Sequence, residues 1–164
     1  MRNPFAVLGV PEQMELDPDE LEERYLRLSR ESHPDFHRGG GEAERLAVLA
    51  RSAEVNDAWR TLRDPWRRAE ALIGLRDPQA MAKTKTLCPI FLSEAMEMRE
   101  AVTEAAPKDF ARLEHDLDAK VAQYFHDVAR MLDAGEIRQA ATLLHQSNYY
   151  RKARAELLHR AESA

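Results

Sequence analysis

Apolar residues recur at helical spacing along most of this chain, and each break in the spacing is marked by proline or glycine. A short helix over residues 4–8 is closed by Gly9 and Pro11. A second helix begins with Asp17 as N-cap, Pro18 at the first helical position and acids in the first turn. Its apolar face is Leu21, Tyr25 and Leu28, spaced i, i+4, i+7. Pro34 lacks a backbone donor and restricts His33 to extended geometry, so the helix must stop there. Beyond three glycines, residues 42–63 read as a longer helix. Its Val48, Ser52, Val55, Trp59 and Leu62 repeat at 4-3-4-3 spacing, which suits an antiparallel partner of the second helix. Asp64 and Pro65 then open a fourth.

Residues 76–87 are polar, contain Pro78 and lack sustained periodicity, so they read as a linker. Three further helices are expected over 89–105, 108–134 and 136 to about 160, punctuated by Pro107 and Gly135. The middle one carries Phe110, Leu113, Leu117, Val121, Tyr124, Val128 and Met131 along one stripe. Short connections make the three antiparallel neighbours, hence a small helical bundle. Helix formers dominate and no Val/Ile/Thr run is long enough for a strand, so the fold class is all-α. The expected organisation is a helix-hairpin domain over 1–75, a linker over 76–87 and a three-helix domain over 88–164.

Charge and composition narrow the functional classes. The 164 residues carry a formal net charge of −5, which argues against a general nucleic-acid or anionic-membrane binder. No apolar run approaches the roughly 18 residues needed to span a bilayer, and the N-terminal apolar stretch is broken and too short for a secretory signal. Cys88 is the single cysteine, so no intrachain disulfide can form and a reducing cytoplasm is the simplest setting.

The stretch RESHPDFHRGGG, residues 30–41, holds the densest candidate chemistry. His33, Asp35 and His37 could be solvated turn residues. They could also present two imidazoles and a carboxylate to a metal, as a small metal-dependent hydrolase would, although no further ligand stands at local spacing. Nucleophilic catalysis by Ser32 with His33 lacks a glycine-rich elbow or a recognisable oxyanion donor. Recognition is the third reading. On the helical wheel Arg27 and Arg30 fall opposite Leu21, Tyr25 and Leu28, with Arg24 on the flank, so a cationic face leads into the turn. The same arginines also complement the helix dipole, and charge alone does not separate docking from solubility.

A second surface is legible further on. Phe91, Ala95, Met98 and Val102 recur at i, i+4, i+7, i+11 and can face a core. Leu92 and Met96 lie one turn apart off that face, with Glu100 and Glu104 continuing their line and Glu97 close by. In the last helix Ile137, Ala140, Leu144 and Ser147 approximate a core face, with Tyr150 at its border and Tyr149 pointing away. Such residues are either an interface with an aromatic anchor or isolated exposed side chains that need no explanation.

The order of a short helix, a basic-faced helix, His33-Pro34-Asp35 and a long helix ending VNDAWRTLRDP resembles the J domain of the DnaJ-type co-chaperones. Val55, Ala58, Trp59 and Leu62 match that family's apolar positions, and the likeness covers about residues 3–75. SAEVNDAWRTLRDPWRRAEALIGL and FLSEAMEMREAV are in turn similar to HscB, the J-type co-chaperone of iron–sulfur cluster assembly, which joins a J domain to a three-helix bundle.

The resemblance implies no catalysis and no cofactor. It implies docking on an ATPase chaperone of the HscA/DnaK type, stimulation of its ATP hydrolysis, and delivery of the scaffold protein IscU. Asp35 would pair with a chaperone arginine, His33 would hydrogen-bond nearby, Pro34 would hold the exit of the loop, and Arg24, Arg27 and Arg30 would steer the encounter. The scaffold-binding patch maps onto Leu92, Met96, Glu97, Glu100 and Glu104, with an aromatic near Tyr149. A general J-domain co-chaperone with other clients is the neighbouring alternative. Three positions depart from the family pattern. Ser32 stands where many J domains carry tyrosine, which predicts looser packing there. Phe36 replaces a common basic residue, and Ser93 a larger apolar one. Metal-binding cysteine pairs of some relatives are absent, so no metal is carried over.

Overall fold

The computed structural model describes residues 3–33 and 41–163. The described residues form eight α-helices in the order α1 (Pro4–Leu8), α2 (Pro18–Glu31), α3 (Glu42–Leu62), α4 (Pro65–Arg76), α5 (Ala80–Lys83), α6 (Pro89–Glu104), α7 (Phe110–Asp133) and α8 (Ile137–Glu162). A 3₁₀ turn, Pro107–Asp109, precedes α7, and the described residues contain no strand. The chain divides into two compact units, Met1–Leu75 and Arg76–Ala164.

In the first unit the Asn3 side chain caps α1 by accepting from the N–H groups of Phe5 and Ala6 at 3.0 and 3.3 Å. Gly9 ends that helix at φ +68°, a left-handed conformation that disfavours any side chain. α1 and α2 both pack on α3, with Phe5, Leu8, Leu21, Val55 and Leu62 buried. Each such side chain contributes about 1.5–3 kcal/mol of apolar burial.

Polar locks then fix the register. Tyr25 stacks on Trp59 with ring centroids 4.7 Å apart, and its hydroxyl donates to Asn56 Oδ1 at 3.0 Å. Arg68 is buried and donates to the carbonyls of Leu62 at 2.8 Å and Met14 at 2.5 Å. Burial lowers its pKa, and the nearby Asp64 charge opposes that shift.

The second unit is an up-down-up bundle. α7 and α8 form the principal hairpin, and α6 lies alongside α8 in the same direction, with Phe91 beside Tyr150 and Thr103 beside Glu156. Its core gathers Phe91, Ala95, Val102, Leu113, Leu117, Tyr150, Ala153 and Leu157. The turn between α7 and α8 is a Schellman motif: Gly135 N–H donates to Leu132 O and Glu136 N–H to Met131 O, with Gly135 at φ +76°. Arg160 donates to the carbonyls of Val102 and Ala105, closing the C-terminus of α6, and lies over the Phe110 ring.

Residues 76–87, expected as an aperiodic linker, are folded. Asp77 Oδ1 accepts from Gln79 N–H at 3.0 Å, α5 follows, and Ala80 and Leu87 are buried. Met81 O and His145 Nε2 are 2.8 Å apart, which fastens the segment to α8. A four-residue helix is too short to show a period, so its one signal is the Asp77-Pro78 turn that precedes it.

Candidate protein-interaction surfaces

The first surface is the outer face of α2. Asp17 caps the helix by accepting from Asp19 and Glu20 N–H groups at 2.9 and 3.4 Å. At the other end Ser32 is only 6% exposed, and both its N–H and its hydroxyl donate to Leu28 O, at 3.0 and 2.7 Å. The sequence predicts looser packing at this end. The small side chain instead closes the last turn by bonding back onto it.

Between these caps the arginines divide into two kinds. Arg27 and Arg30 are exposed, and among the described residues neither has an ion-pair partner. Arg24 is engaged: Nη1 donates to Gly9 O at 2.6 Å, and Nε and Nη2 donate to Glu20 Oε1 at 3.0 and 2.7 Å. Its guanidinium fastens the end of α1 to α2, so the fully available cations are two rather than three. His33 is exposed, and its backbone N–H donates to Arg30 O at 3.1 Å. Pro34, Asp35 and His37 lie outside the described residues, so the remainder of the tip and the hydrolase constellation built on it do too. Among the described residues no three His, Cys, Asp or Glu side chains cluster as a metal site.

The second surface is the flank of α6 that meets α8. Met96 is 65% exposed and Tyr149 46% exposed. Tyr149 sits edge-on to Phe91, with ring centroids 5.6 Å apart and planes at 83°. Leu92, expected fully off the core, is half-buried and packs against the core cluster, so it links the exposed strip to the interior. Glu97, Glu100 and Glu104 are exposed, as is Ser93. At 100° per residue the sequence Leu92, Met96, Glu100, Glu104 turns progressively away from α8, and Glu97 ends furthest from it.

Behind this strip the aromatic wall is held neutral. Tyr124 is pushed up to about 12, chiefly by burial and further by Tyr150, Glu94 and Asp127. Tyr150 is raised in the same sense by burial and then Glu94. Lys120 lies over both rings, at 5.8 and 5.6 Å.

One part of the surface is not visible on the helical wheel of α6 alone. A groove of about 540 Å³ opens between α6 and α8, with Tyr149 on its wall and the cations Lys85, Arg99 and Lys152 around it. Arg99 stands seven residues from Leu92, on the same helical flank, and that spacing is the available signal.

Comparison with known proteins accounts for both units. The DnaJ domain family model matches residues 3–71, and the HSCB C-terminal oligomerisation domain model matches residues 88–158. A protein from Vibrio cholerae serotype O1 described as "Co-chaperone protein HscB homolog" is 34% identical over 161 residues, 94% of each chain. A counterpart with the same description from Cupriavidus taiwanensis is 33% identical over 156 residues, covering 90% of this chain and 87% of that protein. Among solved structures, chaperone HscB from Vibrio cholerae superposes with a TM-score of 0.83 at 29% identity, covering 99% of both chains. The human co-chaperone protein HscB shares the fold with a TM-score of 0.86 at 23% identity, over 100% of this chain and 84% of that one.

Proposed function

The chain belongs to the HscB family of J-domain co-chaperones, and from that premise we propose that it stimulates the ATPase of an HscA/DnaK-type chaperone and delivers an IscU-type iron–sulfur scaffold protein to it. It works in the cytoplasm and performs no chemistry on ATP itself. Arg27 and Arg30 attract and orient the acidic ATPase surface of the chaperone, and His33, Pro34 and Asp35 make the contact that alters its nucleotide cycle. The contribution of such a contact is a coupling free energy of about 1–3 kcal/mol between two sites. Arg24 takes part chiefly by holding the helix that carries the others. Leu92, Met96 and Tyr149 form the apolar centre of the scaffold-binding patch, and Glu97, Glu100 and Glu104 form its acidic edge.

The observation that carries this reading is the exposure of Met96 on α6 and of Tyr149 on the neighbouring α8, an apolar and an aromatic side chain that solubility does not require. In a co-chaperone it marks the client side. The test is a steady-state ATPase assay of an HscA-type chaperone with this protein and the scaffold, separately and together. Stimulation by this protein, rising further when the scaffold is added, is the expected result. Equal rates with and without it would end the proposal.

A further inference from the structure

The groove beside Tyr149 is charged opposite to the rest of the chain. Lys85, Arg99 and Lys152 surround it, Glu156 is its one acid, and none of the three cations has an ion-pair partner among the described residues. Its floor is apolar, made by Leu87, Ala95 and Ala153. A local excess of positive charge on a protein of net charge −5 is not a solubility feature. It runs directly into the exposed strip: moving round α6 from the groove, the side chains are Arg99, Leu92, Met96, Glu100, Glu104 and Glu97. The face is therefore graded from cationic through apolar to anionic.

Resting on the scaffold-binding reading, we infer that this groove seats an acidic segment of the scaffold protein, so that the graded face holds the client in one orientation. A partner with an apolar anchor flanked by carboxylates on one side and basic groups on the other matches the gradient. The same partner turned through 180° sets like charges against each other on both sides. The apolar centre supplies affinity and the flanking charges supply the orientation.

Calorimetric titration of the IscU-type scaffold into the full-length protein, over a series of salt concentrations, tests this. Arg99 and Lys152 are exposed, so Arg99→Gln with Lys152→Gln leaves the fold intact, which a thermal melt verifies. That variant is expected to bind about tenfold more weakly and with a flatter salt dependence. Lys108→Gln with Arg112→Gln, the same net-charge change outside the groove, is expected to bind as the wild type. If the groove variant binds like the wild type, or if the control loses as much, the groove inference is overturned while the scaffold-binding reading stands. If the wild type does not bind the scaffold, that reading fails and takes the groove with it. Chaperone stimulation without scaffold is unchanged in both variants.

Discussion

In the first unit the charged face of α2 stands on a floor fixed by specific polar contacts, whereas in the second unit the exposed strip of α6 runs without interruption into the apolar core. Tyr25, Asn56 and Trp59 lock α2 to α3 on the inner side, and among the described residues Arg27 and Arg30 have no ion-pair partner. On α6, Leu92 belongs partly to the core and partly to the surface, and Tyr149 leans on the core residue Phe91. Arg27 and Arg30 can therefore be altered without touching stability. The second surface is coupled to folding in proportion to how deeply each residue reaches inward. The face proposed to dock the chaperone, separated from its core, and the face proposed to dock the client, continuous with its core, are expected to respond to mutation in different ways.

The largest effect expected is at the tip. His33→Gln or Asp35→Asn should abolish stimulation of the chaperone ATPase, with a melting temperature within a degree or so of wild type, because the role proposed for both side chains is contact with the chaperone and not support of the fold. Loss of stability in step with loss of stimulation would mean that the turn is a structural element of the hairpin and would break the contrast between the two units.

Next comes the client strip. Leu92→Ala with Met96→Ala should weaken scaffold binding by about thirtyfold or more, the scale of a hot-spot pair. Only the Leu92 change should also lower the melting temperature, because only that side chain packs on the core. Calorimetry and thermal melts of the two single variants separate these contributions. Unchanged scaffold affinity in the double variant would leave a general co-chaperone with other clients as the surviving account.

The difference between the units also governs what the sequence could reveal. The helices of both units follow from periodicity and punctuation: Asp17-Pro18, Gly9 and Gly135 sit where caps and turns form. The exposure of Met96 and Tyr149 follows from the wheel as well. Three things did not follow. The short helix α5 has no period to detect. The partial burial of Leu92 depends on how closely α6 approaches its neighbours, which a wheel does not contain. The employment of Arg24 depends on the Gly9 carbonyl fifteen residues earlier, brought close by the turn between α1 and α2. Periodicity assigns faces, but tertiary contact decides which charges on a face are already in use.

A smaller, kinetic effect is expected from the free arginines. Arg27→Glu with Arg30→Glu should slow association with the chaperone about tenfold and leave dissociation nearly unchanged, since exposed charges act mainly on the encounter. Raising the salt concentration should slow the wild type toward the variant's rate. Stopped-flow measurement of both at several salt concentrations decides it, and salt-independent wild-type association would remove these residues from the docking face.

The smallest effect distinguishes the arginine that faces inward from those that do not. Arg24→Gln removes a charged donor from Gly9 O, leaving that carbonyl to water, and should cost about 1 kcal/mol of stability, the scale of one exposed charge-assisted hydrogen bond. Arg27→Gln should cost nothing measurable, having no ion-pair partner among the described residues to lose. The Gly9 cap sharpens the test. Its φ is +68°, and a Cβ added there would stand 3.4 Å from Arg24 Nη1. Gly9→Ala is therefore destabilising through backbone strain, and it sets its Cβ in van der Waals contact with the same guanidinium. If Arg24→Gln in the Gly9→Ala background costs less than in the wild type, the two residues act through one contact. An Arg24→Gln variant as stable as the wild type in urea titrations would show instead that the hydrogen bond contributes nothing and that Arg24 belongs with Arg27 and Arg30 on the outer face.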